Sequence, residues 1–320
     1  MTDPHPLPHG NGKPPGATSW RGSITRAGDE MRSYYGRPIV KEPVWKAEIP
    51  WYFFTGGLGG ASAVLSTVAR IAGNERLARR SIYIGAASDA VSPLLLISDL
   101  GRPERFLNML RVFKVTSPMS VGSWILAVSS AASSLSAFLH AIRRLRGVSD
   151  AARAVAATSG APLAVYTATL ISDTAIPVWH EARRELPFLF GSSALASAGA
   201  AAAIAVPPAE AGPARRLAVG GALTETATML AMERRLGMIG EPYKHGEAGR
   251  YAKLAKACTL TGAGLVGLAG RRSRLGAVVG GALVLAGEAA LRWSVFKAGF
   301  QSARDPKYTV VPQRERATSF

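Results

Sequence analysis

Along this chain, apolar stretches of about twenty residues alternate with short polar segments where the charges gather, and a helix of that length crosses the hydrocarbon of a bilayer. The pattern predicts spans at 52–72, 81–98, 119–142, 155–174 and 188–206. Each is bounded by arginines or by Pro and Gly, and the fifth stops at Pro207 and Pro208. Three less hydrophobic stretches, 215–232, 254–270 and 275–295, complete a set of eight, with Glu225, Lys256 and Glu288 in or near them. The expected fold class is an all-α integral membrane protein with eight transmembrane helices. Polar ends frame them, so the chain divides into an irregular N-terminal arm (1–47), four spans (48–180), four more (181–300) and a polar tail (301–320).

Composition agrees. Hydrophobic residues make up 48% of the chain and charged residues 18%, against about 25% charged in an ordinary globular protein. Lys and Arg number 38 against 21 Asp and Glu, a net charge of +17. In a soluble protein that excess would point to nucleic acid. Here the basic residues sit beside apolar runs, as membrane-flanking loops do, so lipid is the expected partner and nucleic acid is not. The arm lacks the apolar segment of a secretory signal. Gly56 with Gly60, and Gly276 with Gly280, have the four-residue spacing that lets helices approach closely in lipid.

The supply of redox ligands is small. Cys258 is the one cysteine, which excludes an internal disulfide, a CxxC zinc site and a Cys-ligated iron–sulfur cluster within the chain. Of the five histidines, His5 and His9 lie in the arm, while His140, His180 and His245 fall at or outside span ends. No pair is placed to hold a haem inside the hydrophobic layer. No metal ligand set is expected.

Ionisable groups inside a bilayer are expensive and are functional candidates for that reason. Asp89 lies in the middle of the second span. Glu48, Trp51 and Tyr52 open the first, at spacings that place them on one helical face. Asp99, Arg102, Glu104 and Arg105 follow the second span, where Asp99 with Arg102 could form a structural clasp. Tyr166 and Asp173 are seven apart in the fourth span and so project to one side. Glu225 and Glu288 invite pairing with each other or with Arg292. Asp89, Asp173, Glu225 and Glu288 together form a candidate proton path.

The string SDLGRPERFLNMLRVFKVTSPMSVGSW, preceded by PWYFFTGGLGGASAV and followed by YTATLISDTAIPVW, resembles the NrfD / polysulfide-reductase membrane-subunit family over residues from about 45 to 300. The resemblance implies eight helices in two four-helix bundles, a quinone site (menaquinone or ubiquinone) in the first, and no haem or iron–sulfur cluster in this chain. It also implies an iron–sulfur electron-transfer subunit as partner, joined to a catalytic subunit of molybdopterin or similar type. The chain itself would be either non-catalytic or the quinone-reducing or quinol-oxidising subunit. By the match, Tyr166 is the hydrogen-bond donor to the quinone. Glu48 and Trp51 lie near the ring contacts, and Asp99, Arg102 and Arg105 shape the pocket wall and docking surface. The family's YTG reads Tyr166-Thr167-Ala168 here. A competing reading from another class is a proton channel or ion-coupled transporter built on the intramembrane acids.

Orientation follows from the basic residues. Of the 38, 25 lie in the arm and after the even-numbered spans, and 13 after the odd-numbered ones. Both termini are therefore expected on the cytoplasmic side of the cell membrane, together with the quinone face and its partner, whereas familiar members of the family place that face outside. A reporter active only in the periplasm is expected to be silent when fused to the C-terminus; an active fusion reverses the orientation.

Overall fold

The computed structural model describes residues 39–318. Among these there is no strand, and the long helices are α1 (Glu48–Ile71), α2 (Glu75–Asp99), α4 (Pro118–Ala141), α5 (Arg146–Ser172), α7 (Leu186–Ala205), α8 (Gly212–Leu236), α9 (Gly246–Leu268) and α10 (Arg274–Arg304). Shorter helices α3 (Phe106–Arg111), α6 (Pro177–Glu181) and α11 (Lys307–Thr318) lie between and after them. Each predicted span falls on one long helix. Five of these, α2, α4, α5, α7 and α10, are long and apolar enough to cross a membrane. The other three are diluted by identifiable residues: Gly, Ser and Thr in α1, Arg215, Arg216 and Glu225 in α8, and Arg250, Lys253 and Lys256 in α9.

Local chemistry sets the helix starts. The Asn74 side chain accepts from Leu77 N at 3.1 Å, and Ser273 accepts from Gly276 N at 3.2 Å, each satisfying an amide that the first turn leaves free. Ser117 caps α4, and Pro118 follows at the first helical position.

Four short turns, 72–74, 142–145, 206–211 and 269–273, join antiparallel neighbours on what we term the hairpin face. It is clasped by Arg70–Asp150 at 3.1 Å, Arg76–Glu210 at 2.7 Å, and Arg274 Nη1 donating to Val206 O at 2.6 Å. The long connectors 100–117, 173–185 and 237–245, with residues 39–47 and α11, form the opposite, connector face. There Trp45 stacks on Trp179 at 5.7 Å between centroids, Arg304 pairs with Glu42 at 2.8 Å, and Lys307 with Glu241 at 2.9 Å. The hydrogen bond from Lys307 holds the Glu241 carboxyl below the usual carboxylate range.

Helix α1 is central, packing on α2, α5, α7 and α10. Close approach is possible because the crossing points lack side chains. A Cβ at Gly60 would stand 2.2 Å from Gly160 O of α5, and one at Gly280 would stand 2.9 Å from Gly262 O of α9. In the second pair Gly276 is close-packed as well, since a Cβ there would stand 2.8 Å from Ala269, whereas in the first a Cβ at Gly56 would meet nothing nearer than Tyr52 at 3.8 Å. The interior is aromatic and aliphatic towards the connector face, with Phe53, Trp179, Phe190 and Phe296, and largely alanine towards the hairpin face. Large apolar side chains such as Leu94, Phe138, Phe188 and Leu254 stand outward and exposed, as suits a molecule whose solvent is hydrocarbon.

Gly60→Ala is expected to destabilise the detergent-solubilised protein by about 1–3 kcal/mol through overpacking. Gly56→Ala is expected to be neutral or stabilising by up to about 1 kcal/mol, from helix propensity. Thermal unfolding of the two variants side by side checks this contrast.

Candidate functional site

The polar residues of the first four long helices gather at two depths. Nearer the connector face, Tyr52 of α1 and Tyr166 of α5 are 2% and 8% exposed and near enough to interact electrostatically. The Tyr166 ring occupies the space above Gly122 of α4, where an added Cβ would fall 1.7 Å from its Cζ. The glycine in the SVGSW segment is therefore what admits the phenol between α4 and α5. Neither hydroxyl is taken up by a hydrogen bond among the described residues, and a phenol offers both a donor and an acceptor. Phe53 and Phe190, 5.9 Å apart, continue the aromatic layer towards the second half.

The other predicted contacts are distributed differently from the sequence expectation. Trp51 does not share the Tyr52 surface: it is 44% exposed and meets Trp293 of α10 edge-on at 6.3 Å. Residues 51 and 52 are about 100° apart around the helix, and on α1 the inward arc takes Tyr52 and Phe53 and leaves Trp51 outside it. Glu48 is half-buried at the start of α1. Asp99 accepts from the Lys46 amide at 2.9 Å, tying the entry of α1 to the end of α2, so its clasp is with backbone and not with Arg102. Arg102 and Arg105 are exposed, on the surface of the 100–117 connector. Asp173 is the exposed residue closing α5 and makes no hydrogen bond with Tyr166, which lies two turns deeper in the helix.

Deeper in, Asp89 is fully buried on α2. Its Oδ2 accepts from Ser129 Oγ at 2.9 Å and Ser133 Oγ at 2.8 Å, both from α4, while Oδ1 has no partner and sits where a Cβ of Gly59 would be. In the second half, Glu225 of α8 and Glu288 of α10 lie within hydrogen-bonding reach of each other and feel the charge of Arg292. Ser193 Oγ donates to Glu288 Oε2 at 2.6 Å. The Arg292 guanidinium lies over the Phe190 ring, 3.7 Å from its centroid, donates to Phe190 O at 3.0 Å, and reaches the bare surface of α1 at Gly57. Its Nε and Nη1, with one oxygen of each glutamate, are buried without a partner. Glu225 and Glu288 thus lie together, with Arg292 near enough for its charge to act on both but in no ion pair with either.

Sequence reasoning named Tyr52 with Glu48 and Trp51 but did not pair it with Tyr166, and it did not place Ser129, Ser133 or Ser193 in these groups. For the serines the available signal was their four-residue spacing on an otherwise apolar helix, as at 129 and 133. The arrangement can donate hydrogen bonds from two phenols near one face and can hold protons on carboxyl groups at mid-depth. Among the described residues no three His, Cys, Asp or Glu side chains converge in a metal-binding group.

The chain matches the polysulfide reductase family over residues 31–304 and belongs to it. No match was found among curated proteins. The family comprises membrane subunits of oxidoreductase complexes, associated with the quinone pool and partnered by iron–sulfur and catalytic subunits.

Proposed function

We propose that this polysulfide-reductase family member is the quinone-interacting anchor of a multi-subunit oxidoreductase in the cell membrane, exchanging electrons between the quinone pool and an iron–sulfur partner. In this reading all eight long helices span the bilayer as two bundles, α1, α2, α4, α5 and α7 to α10. Both termini and the partner lie on the cytoplasmic side, against the connector face.

The observation that carries the reading is the pair of buried phenols, Tyr52 and Tyr166, with unspent hydroxyls in an aromatic layer near that face. Neither hydroxyl is spent on a hydrogen bond within the described residues, and a phenol can donate to a ligand carbonyl, so the residues present fit a quinone head group. When bound, the quinone supplies two-electron, two-proton redox chemistry. The chain's own part is to donate from Tyr166 Oη to a ring oxygen and to exclude water with Phe53 and Phe190. Glu48, half-buried at the same end of α1, accepts or returns a proton. Arg102 and Arg105, exposed beside it, give the partner a basic docking surface.

A second reading, in which the chain moves protons or another ion, is favoured by the buried Glu225–Glu288–Arg292 cluster and by Asp89. Unpartnered polar atoms at mid-depth are what an ion path requires. Asp173 then stands at the connector mouth. The two readings combine if redox turnover drives protons through these acids.

Tyr166→Phe is expected to weaken binding of a quinol analogue by about 1 kcal/mol, roughly fivefold, with the fold retained; unchanged affinity removes Tyr166 from the site. Glu288→Gln in proteoliposomes separates the second reading from a passive anchor. Loss of proton uptake during quinol turnover, with analogue affinity kept, supports a path, and unaltered uptake excludes Glu288 from it.

A further inference from the structure

The hairpin face, opposite the phenols, carries a cavity of about 640 Å³ between the end of α1, the start of α2 and the α4–α5 turn. Six arginines line it: Arg70, Arg79, Arg143, Arg144, Arg146 and Arg153. Two carboxylates answer them. Asp150 accepts from Arg70 at 3.1 Å and from Arg153 at 3.2 Å, and Glu75 pairs with Arg70. Arg79, Arg143, Arg144 and Arg146 are exposed and form no ion pair among the described residues. A second cavity of about 610 Å³ adjoins, sharing Glu75, Arg79 and His140.

Arg153 marks this as more than a solvated basic patch. It is 2% exposed, its backbone carbonyl is anchored by Thr67 Oγ1 at 3.2 Å, and its Nε is buried without a partner. A guanidinium held out of water with an unspent N–H calls for an acceptor, and Asp150, already shared with Arg70, does not reach that nitrogen. A guanidinium matches the oxygens of a phosphate. The surroundings say how the anion arrives. Val68, Ile71, Phe138, Ile142, Leu145 and Val148 all stand exposed at this end of α1, α4 and α5, where only hydrocarbon is a good solvent for them.

We propose that this cavity binds the phosphate headgroup of an acidic phospholipid, held by Arg153 and the free arginines around it. The acyl chains lie along the exposed apolar surface of α4 and α5, at Val128, Leu135, Phe138 and Val155. Basic pockets between membrane helices recognise lipid phosphates by this chemistry. The site stands apart from the quinone reading, since it occupies the other end of the same helices.

The test uses the full chain in detergent, with lipid retention read by native mass spectrometry for phosphatidylglycerol and phosphatidylcholine. Phosphatidylglycerol is expected to be retained about tenfold more tightly, and the double variant Arg79→Gln/Arg146→Gln to lose most of that preference, as removal of charge-assisted bonds predicts. Both residues are exposed, so the variant is chosen over Arg153→Gln, whose buried position risks the fold. Arg250→Gln, exposed near the start of α9 at the connector end, should keep the preference. Equal retention of the two lipids, or a preference unchanged in the double variant, overturns the proposal. Inorganic phosphate that binds the lipid-free protein, with loss in the double variant and no lipid preference, overturns the lipid assignment in favour of a free anion.

Discussion

The bare backbone of α1 between Gly56 and Gly60 is the constraint on which the remaining structure depends. Three sides of this short segment are occupied by what a side chain would displace. Gly60 meets the backbone of α5, Gly59 makes room for the Asp89 carboxylate, and Gly57 receives the Arg292 guanidinium from the second half. In hydrocarbon, apolar surface gains nothing by leaving the solvent, so helices associate through close packing and internal hydrogen bonds. The glycines supply the first and bring within reach the groups that supply the second. Because Gly57 lies only about 8 Å along the helix from Tyr52, the same helix borders both the phenols and the glutamate cluster.

Much of this was legible in the chain. The eight apolar stretches coincide with long helices because a run of about twenty apolar residues has one economical arrangement in a bilayer. The grouping of Glu225, Glu288 and Arg292 was anticipated because buried charges seek each other. Other features were hidden. The fourth span was expected to begin at Val155, yet α5 begins at Arg146. Hydropathy marks where lipid begins and not where the helix does, so the buried Arg153 falls outside the predicted span. At the other end, Asp173 closes α5 and is exposed; a seven-residue spacing gives the side of a helix and not the depth at which a residue sits. The partners of Asp89 come from α4, and cross-helix pairings of that kind depend on rotation about each axis, which a weakly amphipathic helix leaves open.

The two halves solve the problem of buried polarity in different ways. The first sets a single carboxylate against two serines and leaves its phenols open towards one face. The second gathers two carboxyls and a guanidinium at mid-depth and stacks the cation on Phe190. That cation–π stack lies within the second half, and Phe190 links it to the first by packing against Phe53 of α1. Tyr52, Phe53, Phe190 and Arg292 thus form a contiguous run of side chains between the two groups.

The two ends of the molecule differ in length of chain as much as in charge. On one side the helices turn back within three to six residues, under ion pairs that leave little room for change. On the other, connectors of nine to eighteen residues run over a surface that helix packing does not dictate. Descendants of such a scaffold are free to lengthen, recharge or reshape that outer rim while inheriting the transmembrane body intact. Diversity in what the subunit plugs into can therefore accumulate without renegotiating how it sits in lipid.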